Sequence, residues 1–454
     1  MPRVFGYLLL CLLMVLNSSD LSRLHAQTVG DSTLANEVRN EFMHAWKAYK
    51  QYAWGHDGLR PVSKTSYDWY GVPFYMTAVD ALDTMILMGL TQEADSTREY
   101  IATHLSFDKD VYVKNFEFTI RLLGGLLSSY QLTGDRRLLN LAEDLGTRLL
   151  PVFKSPTGMP WVYVNLKTGA VRDSISNPAE IGTLMLEFGA LSELTNKPIF
   201  YNTAKYALLQ LYDARSELDL VGQSINIKTG EWTNPSSHIG GAIDSYYEYL
   251  LKSARLFDDY DCAVMWQTSL LAVNKYLLDT TSTGLWYGVA DMNTGKRTRT
   301  ITGALDAFFP AVLVLARDPE RAAKVQQSFV AMWDIQGVEP EQFDYKAMKV
   351  SSPPYHLNPE IMESAYYLYV ATGDRKYIDM GKHFLEGLKK YCRTDAGYAE
   401  LKDVNTKEKL DRMESYFLAE TLKYLYLLFA PSETLDFSTV TFNTEAHPLR
   451  RTWE

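Results

Sequence analysis

Four stretches of this chain set carboxylates among apolar and aromatic neighbours, where an acid is costly unless it is paired or functional. In Asn115-Phe116-Glu117-Phe118-Thr119-Ile120-Arg121, Glu117 and Arg121 stand one helical turn apart. Phe116, Phe118 and Ile120 leave that segment no obviously solvated face. Asp244-Ser245-Tyr246-Tyr247-Glu248-Tyr249 puts an acid ahead of a tyrosine cluster. Asn358-Pro359-Glu360-Ile361-Met362-Glu363 has a helix-starting proline and acids at i, i+3, and Met413-Glu414-Ser415-Tyr416-Phe417-Leu418-Ala419-Glu420 adds two more. Each segment alone admits a structural explanation, since Asp244 and Glu360 could serve a helix dipole and Glu117–Arg121 could be a surface pair. Taken together they favour chemistry. Glycoside hydrolysis needs two carboxyls flanking the scissile bond, one protonated to donate and one ionised to activate water or attack. A further motif, Thr441-Phe442-Asn443-Thr444-Glu445-Ala446-His447-Pro448-Leu449, follows a β-prone run. Local sequence makes it a polar turn or, without any EF-hand ligand series, a hard-cation site of carbonyl and hydroxyl oxygens with water.

The elements that must hold these groups are helices. Segments 37–52, 116–132, 138–150, 181–194 and 242–256 carry apolar residues at i, i+3, i+4 and i+7. Tyr130-Gln131-Leu132-Thr133-Gly134-Asp135-Arg136 recurs as Tyr369-Val370-Ala371-Thr372-Gly373-Asp374-Arg375, and more faintly at Leu191 to Lys197. In each, Gly or Asn follows the last apolar turn, as a left-handed C-cap requires, and a new helix begins at once. These are αα-hairpins, the unit of helical solenoids and of closed α/α barrels. The 9 Trp and 30 Tyr favour a closed barrel around a sugar cleft, because aromatic faces stack on sugar rings. β-prone stretches interrupt at 161–166, 282–289 and 438–442. No Pro/Ser-rich linker divides the chain, so residues 27–454 read as one domain.

A formal net charge of -10 with no Lys/Arg-rich block excludes a nucleic-acid partner. Residues 1–26 read as a secretory signal: Arg3, then an apolar run from Phe5 to Leu16 too short to span a bilayer, then a polar stretch ending Leu24-His25-Ala26. The mature chain is therefore expected outside the cytoplasm, in a periplasm or along a secretory route, with no membrane span. Cys262 and Cys392 could form one disulfide. Neither cysteine spacing nor an HExxH pattern supports zinc.

Together these segments resemble glycoside hydrolase family 47, the class I α-mannosidases, from about His44 to Leu449. The resemblance also takes in Tyr52-Ala53-Trp54-Gly55-His56-Asp57-Gly58-Leu59-Arg60-Pro61, Val79-Asp80-Ala81-Leu82-Asp83-Thr84, Glu180-Ile181-Gly182-Thr183 with Leu186-Glu187-Phe188, and Glu420-Thr421-Leu422-Lys423-Tyr424. It implies an all-α fold, an (α/α)7 barrel plugged by a C-terminal β-hairpin. It further implies an inverting, calcium-dependent exo-α-1,2-mannosidase acting on mannosides or high-mannose glycans. On the matching positions Glu117 would be the general acid, Glu360 the base and Asp244 the third essential carboxylate, with Glu117 and Asp244 able to exchange the acid's role. Thr444 would hold Ca2+ through its carbonyl and hydroxyl, and Arg121, Glu363, Tyr416, Glu420 and Glu445 would line the cleaving subsite. The chain departs from the family at Asn358, where Arg is common, and at Ala304-Leu305-Asp306-Ala307-Phe308-Phe309-Pro310, which lacks a usual His. Ala419 stands for a usual Gly, and the paired cysteines of many eukaryotic members are absent from their places. These features lean toward the branch associated with glycoprotein degradation and leave linkage preference open. The alternatives are a non-catalytic mannose-binding barrel, another α/α-barrel sugar enzyme such as an epimerase or unsaturated-uronide hydrolase, and a helical scaffold for protein partners.

Overall fold

The structure is a computed structural model that describes residues 30–453, so the signal segment expected at 1–26 lies outside the described residues. Helix α1 (Ser32–Tyr52) starts where the Asp31 carboxylate accepts the amides of Thr33 and Leu34, each at 3.1 Å. Then come α2 (Met76–Asp80 with Leu82–Leu87), α3 (Thr91–His104) and α4 (Asn115–Glu117, a π turn at Phe118–Leu123, then Gly124–Thr133). Next are α5 (Arg136–Leu149), α6 (Pro178–Gly182 with Met185–Thr195), α7 (Ile199–Asp213), α8 (Asp244–Phe257) and α9 (Tyr260–Tyr276). The series ends with α10 (Leu305–Phe308 with Phe309–Leu315), α11 (Pro319–Gln336), α12 (Glu360–Thr372), α13 (Lys376–Tyr391) and α14 (a π turn at Phe417–Thr421, then Leu422–Phe429).

The even-numbered helices touch in a closed ring, α2 to α4 and on to α14, which returns to α2. The odd-numbered helices pack outside them, and α1 lies on α14. This is an (α/α)7 barrel. The two rings differ in residue pattern for a physical reason. Outer α5 buries one stripe, Leu138, Leu139, Ala142, Leu145, Gly146 and Leu149. Inner α12, with neighbours on all sides, buries every residue from Ile361 to Tyr369. Gly134, Asn196 and Gly373 end their helices at φ 74, 54 and 68, the left-handed caps that the recurring phrase requires.

The β-prone stretches form short antiparallel ladders. Tyr163–Asn165 pairs with Tyr112–Lys114, and Gly284–Tyr287 with Leu278–Thr281. Val440–Phe442 pairs with Pro448–Arg450; this strand begins later than the sequence suggested, because Asp436 caps a 3-10 turn at Phe437–Thr439. The hairpin packs on α4 and α8, and its tip is buried in the barrel. His447 Nδ1 lies 2.7 Å from Asp83, which also pairs with Lys423 at 2.7 Å. Lys423 donates to the Ala446 carbonyl at 2.6 Å. Asn443 Nδ2 donates to the Ile120 carbonyl and to Glu187 at 2.8 and 2.7 Å. Close approach is possible because Gly124 has no side chain: a Cβ there would sit 2.6 Å from Asn443 Nδ2. Cys262 and Cys392 are separate buried thiols, in the first turn of α9 and at the end of α13, and are not bonded to each other.

Candidate active site

Inner helices of helix pairs all run the same way, so their N-termini share one rim. Asp244 is the first residue of α8, Glu360 the first of α12, and Glu117 stands in the first turn of α4. All three are half-buried. Burial pushes the Asp244 carboxyl up to about 7, against the opposing hydrogen bond from the Ser245 amide at 2.9 Å. Glu360 is driven well above the usual carboxylate range by burial and then by the charges of Glu363 and Asp244, while Asn358 bonds to it and opposes the rise. Its Oε2 has no hydrogen-bond partner among the described residues.

The hairpin tip joins this group of acids through Arg121. Arg121, projected from the π turn of α4, donates to Glu117 at 3.0 Å and to Glu445. Its guanidinium lies between the rings of Trp69 and Tyr416, 5.3 and 5.4 Å from their centroids. Tyr416 donates to the His356 carbonyl at 2.8 Å. Glu420 projects from the second π turn, and burial together with Glu445 and Glu360 drives its carboxyl well upward. Glu363 accepts Tyr424 Oη at 3.2 Å and lies 3.9 Å from Lys252. π turns inside α-helices recur at functional sites, where the extra residue re-aims a side chain. Hydrogen bonds, ring contacts and mutual electrostatic fields thus link Glu117, Arg121, Glu445, Tyr416, Glu420, Glu360, Glu363 and Asp244, with Thr444 next to Glu445 in the chain.

Thr444 lies at the hairpin tip between Asn443 and Glu445, its amide donating to Tyr249 Oη at 3.2 Å. No protein donor engages its carbonyl or hydroxyl among the described residues. No three acid, imidazole or thiol side chains converge as a ligand set among those residues. The surroundings nevertheless suit a cation: Glu360, Glu363, Glu420 and Glu445 press against one another, with Arg121 and Lys252 as the neighbouring positive charges. Neutral oxygens and waters in that field are a donor set that fits calcium.

Several contributors escaped sequence reading. Trp69 is held in place by Asp57, whose carboxylate accepts the amides of Trp69, Phe74 and Met76 at 3.2, 2.6 and 3.3 Å. Glu339, in the loop after α11, is fully buried with neither carboxyl oxygen bonded, in the field of Glu360 and Asp306. Asp306, in α10, is pushed up to about 8 by burial and by Asp244. Glu339 falls in no periodic or aromatic context that would have marked it, whereas Asp306 interrupts the apolar run Ala304 to Pro310, which the sequence analysis read only for the absence of a His.

The sequence profile of glycosyl hydrolase family 47 matches residues 41–451. An Arabidopsis thaliana protein, alpha-mannosidase I MNS5, is 37% identical, covering 98% of this chain and 82% of its own. The Rattus norvegicus endoplasmic reticulum mannosyl-oligosaccharide 1,2-alpha-mannosidase is 38% identical over 91% of this chain and 67% of its own. Among solved structures, an alpha-1,2-mannosidase from Trichoderma reesei superposes with a TM-score of 0.84 at 29% identity, covering 93% of this chain and 99% of that one.

Proposed function

We infer the activity from one premise, that the chain belongs to glycosyl hydrolase family 47. Its reaction is removal of terminal α-1,2-linked mannose from mannosides or high-mannose glycans, with inversion and with calcium. The observation that carries this reading is the set of three carboxylates in the first turns of inner helices, with the hairpin tip joined to one of them through Arg121. A barrel with that tip buried in it admits the end of a glycan and not its middle, which supports exo action.

Glu360 is the base: it takes a proton from the attacking water as that water approaches the anomeric carbon. The proton reaching the leaving oxygen comes from Glu117, acting through water. Asp244 is the alternative donor, favoured by one observation, the burial that keeps its carboxyl protonated up to about 7. Arg121 and Glu445 hold the floor of the subsite while Trp69 and Tyr416 fix the guanidinium between them. Thr444 would hold the calcium, which when bound would supply a hard Lewis acid for sugar hydroxyls and offset the surrounding carboxylates. The leader-like residues 1–26 support an exported, lumenal or periplasmic setting.

The test is a panel of α-1,2-, α-1,3- and α-1,6-mannobiose with and without a calcium chelator, followed by proton NMR in the first minutes. Release of β-mannose from the 1,2-linked sugar, lost on chelation, is the expected result. An initial α-anomer would mean a covalent intermediate and a different carboxylate geometry. Full activity after chelation and dialysis would remove calcium from the reading.

A further inference from the structure

Beyond Asp244 the rim opens into a cleft of about 450 Å³, a size typical of small-molecule sites. Its walls are polar: Gln223, Asn234, His238, Arg299, Asp306 and Gln342 all face it. The hairpin closes the opposite end of the barrel, so whatever remains attached to a mannose in the cleaving subsite must leave on this side. Asp306 stands where the cleft meets Asp244. Two residues after Ala304, it replaces nothing that the catalytic reading uses, yet it is built in with care. The Gly303 amide donates to Asp306 Oδ2 at 3.1 Å. Gly240, four residues ahead of Asp244, has its face covered by the same carboxyl, and a Cβ there would collide with it.

We propose that Asp306 is a specificity-determining residue, hydrogen-bonded to a hydroxyl of the sugar on the leaving side of the scissile bond. This rests on the mannosidase reading above and adds to it the side chain that recognises the second sugar. Three features carry it: Asp306 lines the cleft, lies in the field of Asp244, and keeps 8% of its surface open in an otherwise enclosed setting. Burial holds the carboxyl protonated at neutral pH, and a neutral carboxyl both donates and accepts, which suits a sugar hydroxyl better than a carboxylate does. His238, held down to about 4 by burial and by Arg299, is neutral as well. The cleft therefore offers a sugar neutral donors and acceptors from Asp306, His238, Gln223 and Asn234, alongside Arg299 and Glu341.

The experiment compares wild type with Asp306→Ala and Asp306→Asn on the mannobiose its wild type cleaves best. Alongside, it measures inhibition by a mannose-configured iminosugar, which fills the cleaving subsite alone. The expected result is a KM raised about 3- to 10-fold in Asp306→Ala, the loss of one neutral hydrogen bond. Its kcat should hold within about 2-fold and its inhibitor constant should be unchanged, a split that general damage to the barrel would not give. Asp306→Asn, which still donates and accepts, should recover most of the KM. An unchanged KM in Asp306→Ala, or an equal loss of iminosugar affinity, would overturn the assignment. If Asp306→Ala does not fold, Asp306→Ser is put through the same measurements and judged by the same outcomes. A wild type that cleaves no mannobiose would defeat the mannosidase reading instead. Asp306 would then be judged by calorimetric affinity for the same disaccharides, loss in the Ala variant supporting it and no change overturning it.

Discussion

At the scale of single residues, the division of labour among Glu117, Asp244 and Glu360 can be separated by substrate. A substrate with a fluoride leaving group needs no proton donor, so the donor's amide variant should keep turning over α-mannosyl fluoride while losing mannobiose. Glu360→Gln should lose both, by roughly 10²–10⁴-fold, because a base cannot be bypassed in that way. Whichever of Glu117→Gln and Asp244→Asn retains the fluoride reaction is the donor; if neither does, both act in positioning. The candidate acids were legible because each breaks an apolar or aromatic run, which makes burial, and so cost, visible in the sequence. Trp69 was not legible, since an indole in a loop says nothing of the guanidinium it will cover. Glu339 was hidden for a similar reason, its burial coming from elements distant in sequence, while Asp306 carried the same apolar-run signal as the other acids and was passed over.

At the scale of elements, many of the segments that carried the family resemblance turn out to seat the hairpin rather than to meet a substrate. Asp80 and Asp83 bracket His447, Lys423 bonds the tip's backbone, and Glu187 receives Asn443. Helix existence and the left-handed caps were readable from periodicity and from Gly or Asn. The two π turns were not, because one extra residue in a helix leaves the apolar pattern nearly intact. The seating can be tested with a pair of glycines. Gly124→Ala presses a methyl on Asn443 and should cost about 1–3 kcal/mol of stability along with activity. Gly134→Ala strains a left-handed cap with open space around it and should cost about 1–2 kcal/mol without changing kcat/KM. Thermal unfolding and kinetics on the two variants check this. The clamp also titrates. Asp83 and Asp80 raise His447 to about 9 despite its burial, above an unfolded value near 6.5. Its contribution, ~3 kcal/mol, is therefore complete below about pH 6.5 and is lost as pH rises through 9. A His447→Asn variant should show a flatter decline of stability over that window in denaturant titrations.

At the scale of the whole molecule, the barrel encloses more acid than it can neutralise. Burial pushes Glu187 and Asp244 up to about 7 and Asp306 up to about 8, and Glu363, Glu420 and Glu445 are raised as well. Carboxyls raised on folding hold protons that the unfolded chain has released, so stability falls as pH rises from about 4 to about 8. The chelated protein should therefore melt highest in mild acid and progressively lower toward pH 8. Calcium should restore most of that loss at pH 8 and little of it at pH 5, as mass action on a folded-state site requires; an equal effect at both would count against coupling between the ion and these acids. Helix pairing was foreseeable from the repeated phrase and closure from the aromatic content and the family resemblance, whereas the acid content of the centre emerges from the closure that brings seven inner helices and a hairpin together. That closure also imposes an order of events during synthesis. The hairpin follows every barrel helix along the chain, and translation at about 5–20 residues per second delivers it after the ring can begin to assemble. Until residues 440–450 emerge, Arg121 has no Glu445, Asp83 has no His447, and the shaft lies open at its lower end. A chain ending before residue 440 therefore lacks the groups that engage Arg121 and Asp83 at the barrel's centre.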